Sequence, residues 1–366
     1  MRAEALVGAV GARAYKVPTD APEADGTFSW NDTTIVVVTV EGGGRTGLGY
    51  TYSGAAVAGL VTGPLARALQ GQDVFDVPCC HRAMVNAVRN LGRSGLAATA
   101  ISALDAALWD LKAKLLDVPL AALLGRARDA VPIYGSGGFT SYDDEQLTRQ
   151  LSGWVERDGC RWVKMKVGTD PADDLRRVRV AKAAIGNAAT LFVDANGAYS
   201  VKKALHKAAI FAAEAGVAWF EEPVSSDDLD GLVQVRDAAP ACMDVAAGEY
   251  AFNTDDVRRM LVRRAVDVQQ VDASRCLGIT GFLQAGTLCD AHHIDLSGHC
   301  APALHVHPAA AVPRLRHLEW FHDHVRIEQM LFDGAPVPTD GVIRPDMTRP
   351  GLGLEFKHQD AERYAA

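Results

Sequence analysis

Short apolar segments alternate with longer helical segments from Val131 to Phe321. Eight of the apolar segments are typical of buried strands, and they read VPIYGSG, WVKMKV, TLFVDAN, VAWFEEP, MDVAAGE, VDVQQVD, IDLSGH and HLEWF. Eight strands separated by helices predict a parallel α/β barrel. A doubly wound open sheet is the alternative, but no GxGxxG motif follows a first strand. The last strands are closely spaced, so we expect one helix there to be short or missing.

The N-terminal part of the chain follows another pattern. TTIVVVTV (33–40) is rich in β-branched residues, and TGLGYTY (46–52) can pair with it as a hairpin after GGGR. Apolar residues at helical spacing predict a helix over 100–116, which ends before Val118-Pro119. These elements predict an α+β domain over residues 1–125, followed by the barrel over residues 126–345.

Charge and composition exclude several classes of protein. The formal net charge is 37 − 45 = −8, which does not suit nonspecific nucleic-acid binding. No apolar run is long enough for a membrane span, and the N-terminus lacks the pattern of a signal peptide. Seven cysteines without a CxxC pair indicate reduced thiols. We therefore expect a cytoplasmic protein that binds neither nucleic acid nor membranes.

Two lysines lie in one predicted strand. Successive side chains of a strand point to opposite faces, so Lys164 and Lys166 share a face. An exposed strand with lysines facing water is the simple interpretation. The alternative is an active site in which the two ammonium groups influence each other.

Other ionisable residues favour the active site because they end successive strands of the predicted barrel. Any one of them could cap a helix or lie in a solvated turn, but seven consecutive strands are difficult to explain in that way. The carboxyl ends of barrel strands meet on one face, where barrel enzymes have their active sites. The residues concerned are Lys164, Lys166, Asp194, Glu221, Glu222, Glu249, Asp272, His299 and Glu319.

Three of these acids come from adjacent strands. Asp194, Glu221 and Glu249 would repel one another unless a cation lay among them, and oxygen ligands alone suit Mg²⁺. Asn196 shares a face with Asp194 and could support the metal or the substrate. Glu222 should point away from Glu221 and have a structural role.

Two candidate bases are expected on opposite sides of this metal centre. Lys166 comes from one side, and His299 comes from the other with Asp272 as the carboxylate that orients its ring. Lys164 can neutralise a substrate oxygen and lower the pKa of Lys166, so that Lys166 acts as a base near neutral pH.

The KMK strand, DAN, FEEP, GE, Asp272, His299 and Glu319 occur in an order and spacing that resemble the mandelate racemase subgroup of the enolase superfamily. The resemblance implies a (β/α)7β modified TIM barrel with an N-terminal α+β capping domain, and a C-terminal segment, 346–366, that packs back on the cap. It also implies Mg²⁺ on the three carboxylates and catalysis by Lys164, Lys166 and the His299–Asp272 pair. Glu319 would then bind the substrate carboxylate while protonated or sharing a proton.

The same resemblance implies substrate contacts from capping loops near 16–30 and 50–55, including Tyr50 and Tyr52. An aspartate at position 272, where the muconate cycloisomerase and dipeptide epimerase subgroups have lysine, argues against those two subgroups. A histidine-rich metal site is a less favoured alternative, and its candidates are His305, His307, His322 and His324.

The reaction implied by the resemblance begins with removal of the proton α to a carboxylate. Dehydration of a sugar acid to a 2-keto-3-deoxy acid is the favoured outcome, and racemisation or epimerisation of a 2-hydroxy acid is the runner-up. A non-catalytic binding protein on the same fold is a remote alternative. The expected partner is a small carboxylate, and we expect a homo-oligomer.

Overall fold

The computed structural model describes residues 5–366, and its N-terminal part contains an antiparallel sheet of three strands. These are β1 (Val10–Ala24), β2 (Ser29–Gly42) and β3 (Arg45–Tyr52). The predicted hairpin is confirmed: β2 and β3 pair through the turn at Gly43-Gly44, where both residues have positive φ. The sequence did not predict β1, which contains two prolines and a shift of register between Pro18 and Glu23.

The cap continues with helices that cover one face of this sheet. They are α1 (Ala56–Leu60), a π turn (Val61–Leu65), α2 (Ala66–Leu69), a 3-10 turn (Val74–Asp76), α3 (Val77–Ala87), α4 (Leu96–Leu115) and α5 (Leu120–Leu124). The predicted helix over 100–116 is α4, which begins four residues earlier. It packs closely on β3, where a Cβ at Gly49 would lie 2.1 Å from the Ala103 carbonyl oxygen.

The barrel consists of eight parallel strands, as predicted. They are β4 (Val131–Gly137), β5 (Trp162–Lys166), β6 (Thr190–Asp194), β7 (Trp219–Glu221), β8 (Asp244–Ala247), β9 (Val268–Val271), β10 (Asp295–Gly298) and β11 (Leu315–Phe321). Each strand pairs with the next, and β11 pairs with β4 to close the barrel. This confirms the modified TIM barrel with an N-terminal cap.

Each barrel strand is followed by a helix. They are α6 (Asp144–Glu156), α7 (Asp174–Ile185), α8 (Val201–Ala215), α9 (Leu229–Ala238), α10 (Thr254–Arg263), α11 (Gly278–His292), α12 (Pro302–Ala311) and α13 (His322–Leu331). The helix between the last two strands, α12, has 10 residues and equals α9 and α10 in length. The expectation of a short or missing helix there is wrong.

The end of the chain runs across the barrel and touches the cap. It contains β12 (Phe332–Asp333), β13 (Val342–Ile343), β14 (Glu355–Phe356), α14 (His358–Ala361) and a 3-10 turn (Glu362–Tyr364). Tyr15 of β1 forms a bridge with Ala365, and Arg13 makes an ion pair with Glu362 at 2.8 Å. The domain boundaries at 125/126 and 345/346 stay predictions. Among residues 5–366, no helix is both long enough and apolar enough to cross a membrane.

One buried carboxylate joins the cap helix, the cap sheet and the C-terminal segment. Asp110 of α4 is inaccessible to solvent and accepts hydrogen bonds from the backbone N–H groups of Leu48 and Leu352, each at 2.7 Å. The Lys114 ammonium lies 2.6 Å from the same carboxylate. Three parts of the chain that are far apart in sequence therefore depend on one side chain.

Replacing Asp110 with alanine should destabilise the protein strongly. The substitution leaves two buried N–H groups without an acceptor, and each such loss costs about 1–3 kcal/mol, so we expect the free energy of unfolding to fall by about 3 kcal/mol. Urea unfolding measures the change. Glu156→Ala, which removes an exposed carboxylate on α6, is the control and should change stability by less than about 0.5 kcal/mol. Equal stabilities of the two variants would contradict this role of Asp110.

Candidate active site

Eight titratable side chains lie at or near the carboxyl ends of seven consecutive barrel strands, β5 to β11. All are buried, with exposures of 6% or less, and they are Lys164, Lys166, Asp194, Glu221, Glu249, Asp272, His299 and Glu319. Strand register brings them to one level: Lys166 is paired with Asp194, and Asp194 with Glu221. The simple interpretation of the lysine strand, with both ammonium groups in water, is therefore wrong.

The carboxylates of Asp194, Glu221 and Glu249 converge. One oxygen atom from each lies within 4.8 Å of the other two, and all three side chains are buried. The Oε2 atom of Glu249 accepts no hydrogen bond of ordinary geometry. Oxygen donors with unsatisfied negative charge are the ligands that Mg²⁺ prefers, so these residues fit the predicted ion.

The two lysines contact these carboxylates. Lys166 Nζ lies 2.5 Å from Asp194 Oδ2, and Lys164 bonds to Glu221 and lies 2.8 Å from Glu319 Oε1. Burial is the largest influence on the pKa of Lys166 and lowers it, and the Lys164 ammonium lowers it further. The carboxylates, Asp194 first, raise it more, so the pKa of Lys166 lies above its ordinary value. Contrary to the sequence-based expectation, Lys164 alone does not make Lys166 a base near neutral pH.

Asp272 and His299 form the expected contact. The Nδ1 atom of His299 lies 2.9 Å from Asp272 Oδ2. Asp272 also caps the turn after β9, because its Oδ1 accepts the N–H of Ser274 at 2.7 Å. The two interpretations of Asp272 are therefore compatible, one oxygen atom serving each contact. The contact leaves the Nε2 atom of His299 facing Glu249 Oε2 at 3.3 Å and Glu319 Oε2 at 3.6 Å.

Glu319 is held by donors on both of its oxygen atoms. Ser136 Oγ donates to Oε1 at 2.5 Å, and the backbone N–H of Cys300 donates to Oε2 at 3.1 Å. Burial raises the pKa of Glu319, but Lys164 and then His299 lower it more, so the pKa lies well below its ordinary value. The charges of Lys164 and His299 therefore oppose the expected protonation of Glu319, which stays a prediction for the substrate-bound site.

Asn196 lies beside the three carboxylates. Its backbone N–H donates to Asp194 Oδ1 at 2.9 Å, and its side-chain Oδ1 is buried without a hydrogen-bond partner. The side-chain oxygen is therefore available to a ligand, which agrees with the predicted role.

The two tyrosines are not where a substrate contact requires them. Tyr50 is inaccessible to solvent and donates from its hydroxyl to Glu328 Oε1 at 2.6 Å. Tyr52 is 8% exposed, and its ring stacks on His324 with centroids 3.4 Å apart. Both side chains hold the cap against the barrel, so the prediction that they bind substrate is wrong for Tyr50 and unsupported for Tyr52.

The sequence-based prediction missed the positions of two residues near the site, Glu222 and Cys300. Glu222 does not point away as predicted, because the strand ends at Glu221 and strand alternation stops; it has φ of 37° and is 1% exposed. Burial and then the charge of Glu249 raise the pKa of Glu222 well above its ordinary value. Cys300 has its Sγ 3.3 Å from both His299 Nε2 and Glu319 Oε2. Its position next to His299 in the sequence was the only signal.

The four histidines considered as a metal site do not converge. His305 accepts the N–H of Ala273 at 2.7 Å, and His307 accepts the N–H of Ala121 at 3.1 Å. His324 stacks on Tyr52, as described above. Within residues 5–366, no group of possible metal ligands contains two of these histidines.

A cavity of about 570 Å³ lies where the cap meets the barrel, and none of the eight buried titratable side chains lines it. Its lining includes Thr27 of the cap and Asn196, Glu222 and Tyr250 of the barrel. The turn over residues 25–28 lies directly on the barrel: a Cβ at Gly26 would come within 2.6 Å of the carbonyl oxygens of Val167 and Ala195. The turn over residues 25–28 therefore lies on the mouth of the barrel, and the substrate contacts expected from the segment near residues 16–30 stay a prediction.

Both parts of the chain match known families. The profile described as "Enolase C-terminal domain-like" matches residues 146–361, and the profile described as "Mandelate racemase / muconate lactonizing enzyme, N-terminal domain" matches residues 10–125.

Individual relatives cover most of the chain. A mandelate racemase/muconate lactonizing enzyme-like protein from Rubrobacter xylanophilus is 50% identical, with a TM-score of 0.96 over 99% of this chain and 100% of that one. A racemase from Streptomyces coelicolor A3(2), solved with bound magnesium, is 30% identical, with a TM-score of 0.92 over the same shares of the two chains. L-talarate/galactarate dehydratase of Salmonella typhimurium is 33% identical over 325 residues, which are 86% of this chain and 78% of that enzyme.

The carboxylate cluster leads to a prediction about metal affinity. Glu249→Gln keeps the shape of the side chain but removes one negative ligand, so we expect Mg²⁺ to bind at least about tenfold more weakly. Isothermal titration calorimetry measures the affinity, and circular dichroism should show an unchanged fold. Glu156→Gln, an exposed exchange of the same kind, should bind Mg²⁺ like the unaltered protein. Equal affinities of both variants would exclude Glu249 as a ligand.

Proposed function

This chain belongs to the mandelate racemase subgroup of the enolase superfamily, and we propose that it is a Mg²⁺-dependent dehydratase of a sugar acid. The observation that carries the proposal is the geometry around the three carboxylates. Lys166 approaches them beside Asp194, and the Nε2 atom of His299 approaches them beside Glu249. A substrate bound between these groups has one candidate base on each side.

In this proposal the substrate carboxylate would be bound by Lys164 and by a Mg²⁺ ion that the three acidic side chains hold. Mg²⁺ on Asp194, Glu221 and Glu249 would supply the positive charge that stabilises a substrate carboxylate as it gains electrons, and would offset the carboxylates that raise the pKa of Lys166. Lys164 adds a second positive charge to the same region. Glu319, fixed by Ser136 and Cys300, holds Lys164 in position at 2.8 Å.

Two residues move protons. Lys166 takes the proton from the carbon next to the carboxylate, and the C–H electron pair moves into the carboxylate group. His299 then gives a proton to the hydroxyl of the β-carbon, the C–O bond breaks and water leaves. The enol that remains has its double bond between the α- and β-carbons. It becomes a 2-keto-3-deoxy acid when the β-carbon takes up a proton and the α-hydroxyl loses its own, so that the α-carbon becomes the keto carbon. Asp272 keeps the ring of His299 oriented so that Nε2 faces the substrate.

The name of the relative from Salmonella typhimurium, a dehydratase of sugar diacids, supports dehydration. Racemisation of a 2-hydroxy acid is the second candidate, because Lys166 and His299 flank the same centre and the relative from Streptomyces coelicolor is called a racemase. A non-catalytic protein has little support, since the lysines, the carboxylates and the Asp272–His299 pair are all present and in contact.

A cytoplasmic location and a homo-oligomeric state remain predictions. The free state of all seven cysteines agrees with a cytoplasmic location.

A library of acid sugars and 2-hydroxy acids, incubated with the protein and Mg²⁺, tests the function. We expect a 2-keto-3-deoxy product from at least one sugar acid and no turnover in EDTA. Loss of optical activity without a keto product would support the racemase instead. Full turnover in EDTA would contradict both candidates.

Variants of the two bases test the division of labour in D₂O. His299→Asn should stop dehydration, yet leave Lys166 able to exchange the α-proton for deuterium, which mass spectrometry or NMR detects. Lys166→Ala should stop both. His292→Asn and Lys202→Ala, at exposed positions, are the matched controls and should keep the normal rate. Normal turnover in both base variants would exclude the two-base site.

Asp272→Asn tests the positioning of His299. The amide keeps the shape but loses the charge that stabilises the orientation and the protonated form of the ring, so we expect kcat to fall about 10²-fold or more. KM and the melting temperature should change little, because the barrel core is intact. Asp290→Asn, an exposed exchange on α11, is the control. An unchanged kcat would show that Asp272 does not position His299 and only caps the turn after β9.

A further inference from the structure

A second group of possible metal ligands lies outside the active site, where the cap meets the barrel. Asp20 and Glu23 belong to β1, and His322 is the first residue of α13, directly after the last barrel strand. One ligand atom from each of the three residues lies within 4.8 Å of the others. The Nε2 atom of His322 is 2.9 Å from Asp20 Oδ2 and 3.1 Å from Asp20 Oδ1.

Glu23 has an unsatisfied oxygen in this group. The side chain is 1% exposed, and Trp30 Nε1 donates to Oε2 at 2.7 Å. The other oxygen, Oε1, is buried and accepts no hydrogen bond. A buried carboxylate oxygen without a donor is costly, and a bound cation is one of the usual ways of satisfying it.

A further carboxylate increases the negative charge. Asp323 is inaccessible to solvent, and its Oδ2 also lacks a hydrogen bond. Arg326 lies nearby, but it already donates to Asp323 Oδ1 and to the Pro18 carbonyl, each at 2.6 Å. One arginine and one histidine thus face three carboxylates.

We propose that Asp20, Glu23 and His322 form a second metal site, for a divalent transition ion such as Zn²⁺. An imidazole nitrogen with two carboxylates suits Zn²⁺, Co²⁺ or Ni²⁺ better than Mg²⁺. Ligand atoms around Zn²⁺ lie at about 2.0–2.2 Å from the ion, so Asp20 and His322 already have the separation of neighbouring ligands. Glu23 has an oxygen atom within 4.8 Å of both. Three protein ligands leave a fourth position for water.

An ion at this site would tie the cap to the barrel. Asp20 and Glu23 lead into the turn over residues 25–28, which lies on the barrel mouth through Gly26. His322 follows Phe321, which belongs to the same apolar cluster as Cys300, Phe139 and Tyr142. A cleft of about 360 Å³ reaches Asp20 and His322 from solvent, so the ion has a path of entry. The ion would therefore restrain the segment of the cap that covers the active site.

Metal titration of the Mg²⁺-saturated protein tests the site. Co²⁺ replaces Zn²⁺ as a visible probe, since its absorption reports a nitrogen-containing, four-coordinate site. We expect His322→Asn and Glu23→Gln each to weaken this Co²⁺ binding at least about tenfold. Asp32→Asn is the matched control, because Asp32 lies on the same hairpin and pairs with Lys16 at 3.1 Å; it should bind Co²⁺ normally. Equal Co²⁺ affinities of all four proteins would overturn the proposal.

Two further measurements distinguish this site from the active site. His299, Cys300 and Glu319 also lie close enough together to hold a soft ion, so Cys300→Ser is included and should leave the Co²⁺ signal intact. Anomalous diffraction from crystals of the unaltered protein with Zn²⁺ should show a peak between Asp20 and His322, which does not depend on the folding of any variant. A peak confined to the active-site carboxylates or to Cys300 would overturn the proposal. None of these readouts depends on the reaction catalysed.

Discussion

The ammonium of Lys164 is the centre on which the arrangement of the active site depends. The side chain is inaccessible to solvent, and it contacts Glu221, Glu319 at 2.8 Å and Asp194 at 3.5 Å. A buried ammonium is tolerated only when ion pairs and hydrogen bonds replace its water. The three acids come from β6, β7 and β11, so a single charge links both sides of the barrel mouth. Strand register sets these contacts, and they in turn set the orientation of the metal ligands.

The charges around Lys164 remain unbalanced within the protein. Five acidic side chains besides Glu222 surround the site. Their positive partners are Lys164, Lys166 and Arg275, and His299 can carry a fourth positive charge. The acids are Asp194, Glu221, Glu249, Asp272 and Glu319. Arg275 lies 3.4 Å from Glu249 Oε1 and 3.6 Å from Asp272 Oδ2, so it is shared between the metal cluster and the histidine pair. A divalent cation held by the first three acids would offset this negative charge and would lower the pKa of Lys166. Metal binding and activation of the proposed base would then be linked through the same charges.

The sequence was sufficient for those features that local pattern determines. Eight apolar segments gave eight strands, and alternation gave the shared face of Lys164 and Lys166. The sequence pattern led to wrong predictions where the alternation or the pairing of a strand is interrupted. Glu222 turns toward the cavity because the strand ends one residue earlier, and β1 is interrupted by prolines.

Other failures came from contacts between distant parts of the chain. Tyr50 is buried with its hydroxyl donating a hydrogen bond to Glu328, which is 278 residues away. The pKa directions of Lys166 and Glu319 are sums over charges from several strands, and no short segment contains that sum. Sequence therefore identified which residues meet but did not predict the charge state that their meeting produces.

The barrel supplies the charged groups proposed for catalysis, and the cap contributes to the cavity proposed to select the substrate. The buried charges come from barrel strands, whose positions the closed sheet fixes. The cavity between cap and barrel has a mixed wall, to which Thr27 of the cap and Asn196 and Glu222 of the barrel contribute. Asn196 Oδ1 and Glu222 Oε1 are both buried and without hydrogen-bond partners, so this wall offers acceptors to a ligand rich in hydroxyl groups. A polyhydroxylated acid satisfies those atoms, whereas an aromatic 2-hydroxy acid leaves them unpaired. Because an unpaired buried acceptor costs free energy, this wall suits a ligand rich in hydroxyl groups better than an aromatic one, which is consistent with the sugar acid proposed above.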